Sequence, residues 1–319
     1  MLQAFVFMAS SLVSLTCTVV QKSTIQLINI LTIQQLINQK QNKKNIMNKK
    51  ILLIIPCMSA IISYSQDTTK YLVGEPLENK TMKHEETEFY SPVPPVVTPG
   101  ATPQDPPSDA IILFDGKNLD AWRSANDSTK TAGWDVANGI ITVNKKAGDI
   151  ATKQRFMDYQ LHIEWRIPED IQGQDQARGN SGVFLAAPGP GELGYEIQVL
   201  DCYSNKTYVN GQTGAMYKQG IPLANACKKP GEWQIYDIVW TAPRFNDDGS
   251  LKSPARVTVI HNGVLVQNNF ALKGFTLFIG KPYYIKHGAT PIMLQAHGDP
   301  SKPISYRNIW VRPLASSNS

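Results

Sequence analysis

The stretch DYQLHIEWRI, residues 158–167, alternates apolar and polar side chains along its whole length. Successive side chains of a β-strand point to opposite faces. The odd-numbered residues therefore form one apolar face. The polar face carries Gln160, His162, Glu164 and Arg166. This period of two predicts a strand with one face in a core.

The same period recurs along the chain, with turn signals between the runs. Alternating runs occupy residues 181–187, 195–201, 233–240, 291–298 and 304–311. Asn138-Gly139 and Asn262-Gly263 each separate two short apolar runs, which is typical of tight β-hairpins. No helical period extends beyond about two turns. About twelve strands in roughly 200 residues predict an all-β sandwich or barrel.

The N-terminal region reads as a processing segment. Residues 47–65 combine a basic start at Lys49 and Lys50 with an apolar run and small residues before Gln66. This pattern predicts a secretory signal peptide. Residues 1–46 precede it, and we interpret them as an upstream extension foreign to the natural protein. The alternative is a real amphipathic extension.

The rest of the chain divides into an arm and one domain. Residues 66–108 are polar and then proline-rich, which predicts an extended linker or surface arm. The globular domain is predicted over residues 109–314. We expect an exported protein, periplasmic or secreted, without a membrane span in its mature form. Pro56 before Cys57 fits lipoprotein processing poorly.

Composition excludes several function classes. The formal net charge is +5, and no basic patch interleaved with aromatic residues follows the N-terminal lysines, so no nucleic-acid partner is expected. The sequence has no HExxH, CxxC pair or EF-hand loop. We expect no required cofactor, although scattered aspartates could hold a structural Ca²⁺.

Cys202 and Cys227 could form a disulfide in an oxidising compartment, or remain two buried thiols.

Polar side chains on otherwise apolar strands are the candidates for chemistry. Glu196 and Gln198 share one face of YEIQVLD, residues 195–201, and Gln295 and His297 share one face of another strand. Arg178 and Asn180 precede a strand that begins near Gly182. The further candidates are Glu164, Arg166, Asp201 and the loop residue Lys218.

These groups suit a carbohydrate ligand, because sugar hydroxyls need paired donors and acceptors. We expect the polar faces of the strands at Glu164 and Glu196 to line one concave cleft. The alternative is that each is a solvated outer face.

Five motifs, in order, resemble one family. They are LFDGKNLDAW (113–122), RGNSGVFL (178–185), YEIQVLD (195–201), KPGEWQIYDI (229–238) and LQAHGDP with SYRNIWVRPL (294–314). Together they closely resemble the 3-keto-disaccharide hydrolase domain over about residues 109–314. The resemblance implies a concanavalin A-like jelly-roll sandwich of two antiparallel sheets. It also implies an exported bacterial protein that acts on glycosides, including ones oxidised to a ketone at C3.

A 3-keto sugar suggests one-base chemistry, because the ketone acidifies the C2 proton and the C1 substituent can then leave by β-elimination. We expect Glu196 or His297 to be the base. Arg166, Arg178 or Asn180 would bind the C3 oxygen. Asp201 or Lys218 would serve the leaving group or the sugar hydroxyls.

Two other functions remain open. Laminarinase-type retaining glucanases share the fold and carry E-x-D-x-x-E on a cleft strand. Here Glu196, Gln198 and Asp201 give E-x-Q-x-x-D, which keeps the nucleophile position but changes the other two. The second alternative is a non-catalytic carbohydrate-binding module, which would tolerate the loss of Glu196.

Overall fold

Two antiparallel sheets form the body of the protein. The structure, a computed structural model, describes residues 82–314 except 190 and 192. The predicted upstream extension, the predicted signal peptide and residues 66–81 of the predicted arm lie outside the described residues. The chain divides into two units, residues 1–88 and 89–319. The described part of the first unit contains a 3₁₀ turn at His84–Thr87.

The strands all lie in the second unit. They are β1 (Ile111–Phe114), β2 (Trp122–Ser124), β3 (Asp135–Ala137), β4 (Ile140–Thr142), β5 (Ile150–Thr152), β6 (Tyr159–Arg166), β7 (Ser181–Phe184), β8 (Glu196–Val199), β9 (Trp233–Thr241), β10 (Arg244–Phe245), β11 (Leu251–Ser253), β12 (Arg256–His261), β13 (Val264–Ala271), β14 (Met293–Leu294) and β15 (Ser305–Pro313). Short 3₁₀ turns at Asp175–Ala177 and Val209–Gly211 lie in the connections.

The strands pair into a larger and a smaller sheet. The larger sheet has the order β13-β12-β9-β6-β15-β4-β3, with β1 also paired to β15. The smaller sheet has the order β2-β5-β14-β7-β8, and β10 pairs with β11 separately. Every strand pairing is antiparallel. The predicted all-β jelly-roll sandwich is confirmed.

The core lies between the two sheets. Its position determines in which direction the polar side chains of β6 and β8 point. Ile163 and Trp165 of β6 and Ile197 and Val199 of β8 are fully buried in one apolar cluster. Because side chains alternate, the even-numbered residues of both strands point away from this core. Those of β6 lie on the outer face of the larger sheet, and those of β8 lie on the outer face of the smaller sheet.

Local turn chemistry behaves as the sequence predicts. Asn138 and Gly139 have φ values of 53° and 76° and join β3 to β4. Asn262 and Gly263 have φ values of 50° and 82° and join β12 to β13. Both pairs supply the two positive φ angles that a type I′ turn requires.

Two further contacts tie loops to the sandwich. Cys202 and Cys227 form a disulfide with their Cα atoms 5.8 Å apart. The carbonyl oxygen of Gln104 accepts hydrogen bonds from Asn308 Nδ2 and Trp310 Nε1, both at 3.0 Å. This part of the proline-rich segment therefore lies on the outer face of the larger sheet.

Candidate active site

A cavity of about 240 Å³ opens on the outer face of the smaller sheet. Strands β7 and β8 and the residues that follow β14 form its floor, and residues of the connections between strands form its walls. The described residues that line it are Gln176, Asn180, Phe184, Glu196, Gln198, Tyr217, Thr276, Leu277, Phe278, Gln295 and His297. Five of the predicted site residues are therefore brought together: Asn180, Glu196, Gln198, Gln295 and His297.

Glu196 is held at the floor of this cavity. The residue is 5 % exposed. A Cβ atom on Gly182 of the neighbouring strand would lie 2.5 Å from Glu196 Oε1, so the absence of a side chain there makes room for the carboxylate. The backbone N–H of Glu196 donates to Thr276 Oγ1 at 3.0 Å, and its carbonyl accepts the N–H of Tyr217 at 3.1 Å. These two bonds tie the backbone of Glu196 to the residues of two neighbouring loops.

An amide network lies beside Glu196. Gln198 Nε2 donates to Asn180 Oδ1 at 2.8 Å. Asn180 Nδ2 donates to the Gln176 carbonyl at 2.9 Å and makes longer contacts of 3.4 Å to Gln176 Oε1 and 3.5 Å to His297 Nε2. The second amide hydrogen of Asn180 therefore makes only long contacts and is weakly engaged.

His297 enters the cavity from the segment after β14 and is oriented by Asp299. Its Nδ1 atom lies 3.1 Å from Asp299 Oδ2, and its side chain is 35 % exposed. The Asp299 carboxylate is buried. Burial alone would raise the pKa of Asp299, but hydrogen bonds from His297, Ser301 and Lys145 outweigh this and hold it at about 2. A buried carboxylate thus anchors the one imidazole in the described lining.

The cavity rim combines aromatic rings with a cation. Tyr208 and Tyr217 share a hydrogen bond of 2.6 Å between their hydroxyl groups. Lys218 Nζ donates to the Phe278 carbonyl at 2.6 Å and lies 4.3 Å from the centre of the Phe278 ring. Lys218 therefore lies at the rim of the cavity and not on its floor. Its ammonium group is engaged by Phe278 within the protein.

The structure corrects the expectation that Glu164 and Arg166 share a cleft with Glu196. Both lie on β6, on the outer face of the opposite sheet. Glu164 Oε2 accepts a hydrogen bond from Arg307 Nε at 2.6 Å, and the Arg166 guanidinium lies 4.6 Å from the centre of the Trp233 ring. The two polar faces belong to different sheets because β6 pairs with β9 and β15, whereas β8 pairs with β7.

Asp201 and Arg178 lie apart from the other predicted site residues. Asp201 Oδ2 accepts a hydrogen bond from Arg178 Nε at 2.5 Å, and Asp201 Oδ1 accepts the backbone N–H of Tyr203 at 3.1 Å. β8 ends at Val199, and neither Asp201 nor Arg178 lines the cavity. The pair joins the segment that precedes β7 to the segment that follows β8.

Several residues of the site were not anticipated from the sequence. Asp299, which contacts His297 from outside the lining, lies two residues after it in the HGDP turn, and the lining residue Tyr217 immediately precedes Lys218, so proximity to candidates could have identified both. Gln176, Thr276 and Phe278 lie in connections without a strand period, and nothing in their local sequence marks them. Phe184, which lies two residues after Gly182 on the same face of β7, is 1 % exposed and lines the cavity.

Two other features are absent from the part of the chain that the structure describes. Within residues 82–314, apart from 190 and 192, no cluster of three or more His, Cys, Asp or Glu side chains is arranged to hold a metal ion. No helix among these same residues is long and apolar enough to cross a bilayer.

Comparison with known proteins identifies relatives of the domain. A crystal structure from Parabacteroides distasonis, titled "putative glycosyl hydrolase", is 59% identical, with a TM-score of 0.68 over 73% of this chain and 97% of that one. A 3-keto-disaccharide hydrolase from Bacteroides thetaiotaomicron is 28% identical over 86 residues. That match spans 24% of this chain and about a quarter (27%) of the relative.

The family comparison covers the whole sandwich. The 3-keto-alpha-glucoside-1,2-lyase-like domain matches residues 109–312, which contain every strand and every described residue lining the cavity. The relatives carry hydrolase and glycosyl hydrolase names. The chain belongs to the 3-keto-alpha-glucoside-1,2-lyase-like family.

Proposed function

We propose that this protein cleaves 3-keto-glycosides, including 3-keto-disaccharides, by removing the C2 proton. One observation carries the proposal. Among the described residues that line the cavity, Glu196 is the one carboxylate and His297 the one imidazole, surrounded by the amides of Asn180, Gln198 and Gln295. This set supplies a base, an acid and neutral hydrogen-bonding groups, which are what the reaction needs.

The reaction would proceed in two stages. The C3 ketone acidifies the C2 proton, and a base removes it to give an enolate. The enolate re-forms the ketone as the C1–O bond breaks, which leaves a C1=C2 double bond conjugated to C3=O, while the leaving oxygen takes a proton. Water then adds its oxygen to C1 and a proton returns to C2, which yields the free 3-keto sugar. A lyase would stop before this hydration.

We assign the base to Glu196 and the proton donor for the leaving oxygen to His297. Glu196 is buried on a rigid strand, which suits abstraction of a proton from a fixed carbon. His297 is more exposed, so it can exchange protons with water between turnovers. The weakly engaged N–H of Asn180 would stabilise the enolate oxygen at C3.

The alternatives fit the cavity less well. A retaining glycosidase needs two carboxyl groups about 5–5.5 Å apart. Asp201, which was expected to supply the second, is paired with Arg178 outside the cavity. A carbohydrate-binding module needs no proton donor, so an oriented imidazole beside a carboxylate in the cavity favours an enzyme.

We also propose that the protein is exported. The signal-peptide pattern of residues 47–65 supports this, and so does the Cys202–Cys227 disulfide, because such bonds persist in oxidising compartments.

Exchange of Glu196 for Gln tests the assignment of the base. The variant keeps the shape and volume of the side chain but removes the base, so we expect turnover of a 3-keto-glycoside to fall by about 10²–10⁴-fold. Deuterium incorporation at C2 in D₂O should fall in parallel, with an unchanged melting temperature. Full activity in this variant would remove Glu196 from the mechanism.

A further inference from the structure

An exposed aromatic ring stands at the mouth of the polar cavity. Phe278 is 69 % exposed, yet it lines the cavity together with Leu277. It lies on the loop after β13, whose base is closed by the hydrogen bond from the Phe275 N–H to the Tyr283 carbonyl at 2.9 Å. An apolar ring at the edge of a polar pocket is available to contact a part of the ligand that projects from it.

Lys218 and Gln219 hold this loop from the neighbouring one. Lys218 Nζ donates to the Phe278 carbonyl at 2.6 Å and lies 4.3 Å from the Phe278 ring centre. Gln219 Nε2 donates to the Gly274 carbonyl at 2.9 Å, and Gln219 Oε1 accepts the N–H of Lys273 at 2.8 Å. The tip and the base of the loop are therefore both fixed before any ligand arrives.

The backbone of Lys218 is strained at this point. Its φ is +58°, in the left-handed region that side-chain-bearing residues rarely adopt. Its ammonium lies 5.7 and 5.6 Å from the ring centres of Tyr208 and Tyr217. Strain of this kind persists where the surroundings enforce it, and it clusters at functional sites.

The size of the cavity indicates which part of the substrate reaches Phe278. A volume of about 240 Å³ lies below the roughly 300–1,000 Å³ of pockets that enclose drug-sized ligands. It suits one sugar ring, and the proposed chemistry requires that ring to be the 3-keto sugar above Glu196. The group attached at C1 must then extend toward the mouth.

We propose that Phe278, positioned by Lys218, is a stacking platform for the leaving group and makes the enzyme select ring-shaped leaving groups. A second sugar or an aryl group presents a flat apolar face to the Phe278 ring, whereas a methyl group does not. This inference rests on the proposed function, because it uses the same cavity and the same substrate.

The test compares kcat/KM for three substrates, the methyl, phenyl and glucosyl glycosides of 3-keto-glucose. Phe278→Ala should lower kcat/KM for the phenyl and glucosyl substrates about three- to tenfold, and for the methyl substrate less than twofold. Phe278→Trp should retain the preference. Ile279→Ala is the matched control, because this neighbour is 82 % exposed and does not line the cavity.

Lys218 is tested through selectivity. Lys218→Met should reduce the preference for ring-shaped leaving groups without changing the melting temperature. Lys218→Arg, which keeps the positive charge, should retain that preference. In the Phe278→Ala background, Lys218→Met should cause no further loss of preference, because the platform it positions is gone.

The outcomes separate this inference from the proposed function. If the protein cleaves all three substrates and Phe278→Ala slows them equally or not at all, the platform is refuted and the proposed function stands. If the protein cleaves none of the three, both fall together.

Discussion

Gly182 leaves the space that the Glu196 side chain occupies. A Cβ atom at residue 182 would meet Glu196 Oε1 at 2.5 Å and its Cγ and Cδ atoms at 3.0 Å. All of these atoms belong to a side chain, so the carboxylate can move while the backbone of β7 and β8 stays in register. The glycine therefore affects where the carboxylate points more than whether the sheet forms.

We predict that Gly182→Ala keeps the fold but misplaces the proposed base. The cost in the free energy of unfolding should be about 1 kcal/mol, while kcat should fall about 100-fold, because small displacements of a catalytic group are expensive. Steady-state kinetics and thermal denaturation measure the two effects. Gly288→Ala serves as the control, since a Cβ there meets nothing within 4 Å. Unchanged kcat in Gly182→Ala would argue against Glu196 as the base.

The pairing of Asp201 with Arg178 predicts a structural effect. Removing one partner leaves the other charge partly buried, so Asp201→Asn should lower the free energy of unfolding by about 1–3 kcal/mol. The double variant with Arg178→Met should be less destabilised than the sum of the single variants. Denaturant unfolding of the four proteins gives the coupling. If Asp201→Asn instead abolished turnover at full stability, the conventional glycosidase interpretation would return.

The lowered pKa of Glu164 predicts how the free energy of unfolding depends on pH. Burial alone would raise the pKa of Glu164, but hydrogen bonds from His162, Asn308 and Arg307 outweigh it and lower the pKa from 4.5 to about 2. A carboxyl group with a depressed pKa stabilises the fold above its unfolded pKa. That stabilisation is lost as the pH falls from 4.5 toward 2.

In Glu164→Gln, stability should therefore be lower at pH 7 and fall less steeply between pH 4.5 and 2. Unfolding free energies across this range measure the slope. KM should not change, because Glu164 lies on the opposite sheet from the cavity. A raised KM with an unaltered acid slope would contradict this placement.

The Cys202–Cys227 disulfide predicts sensitivity to reductant. It closes a loop with a sequence separation of 25 residues, for which chain entropy gives about 3.5 kcal/mol of stabilisation. Denaturation with and without a reducing agent should differ by about this amount. The Cys202→Ser, Cys227→Ser double variant should match the reduced protein and lose its dependence on reductant.

Local sequence rules predict much of the fold because they act over a few residues. Alternation identifies β6, β8 and β9, and the two Asn-Gly pairs form the predicted turns. The direction of Arg307 could not be predicted from alternation. Arg307 faces Glu164, but the next pairing on β15 is Trp310 with His162, so one extra residue interrupts the period. Asn308 absorbs this bulge with a φ of +43°.

The composition of the site depends on contacts that alternation cannot specify. Alternation indicates that Glu164 and Arg166 share one face and that Glu196 and Gln198 share another. It does not indicate to which sheet each face belongs. Strand pairing decides that over long sequence separations. The wall residues Gln176, Thr276 and Phe278 come from irregular loops that only the folded structure brings to the cavity.

The most direct measurement is the release of the leaving group from a glucoside and from its 3-keto form, by the same preparation of the purified protein. Our account predicts release from the 3-keto form alone, accompanied by exchange of the C2 hydrogen with solvent. Equal release from the unoxidised glucoside, without exchange at C2, would contradict it and indicate conventional glycoside hydrolysis.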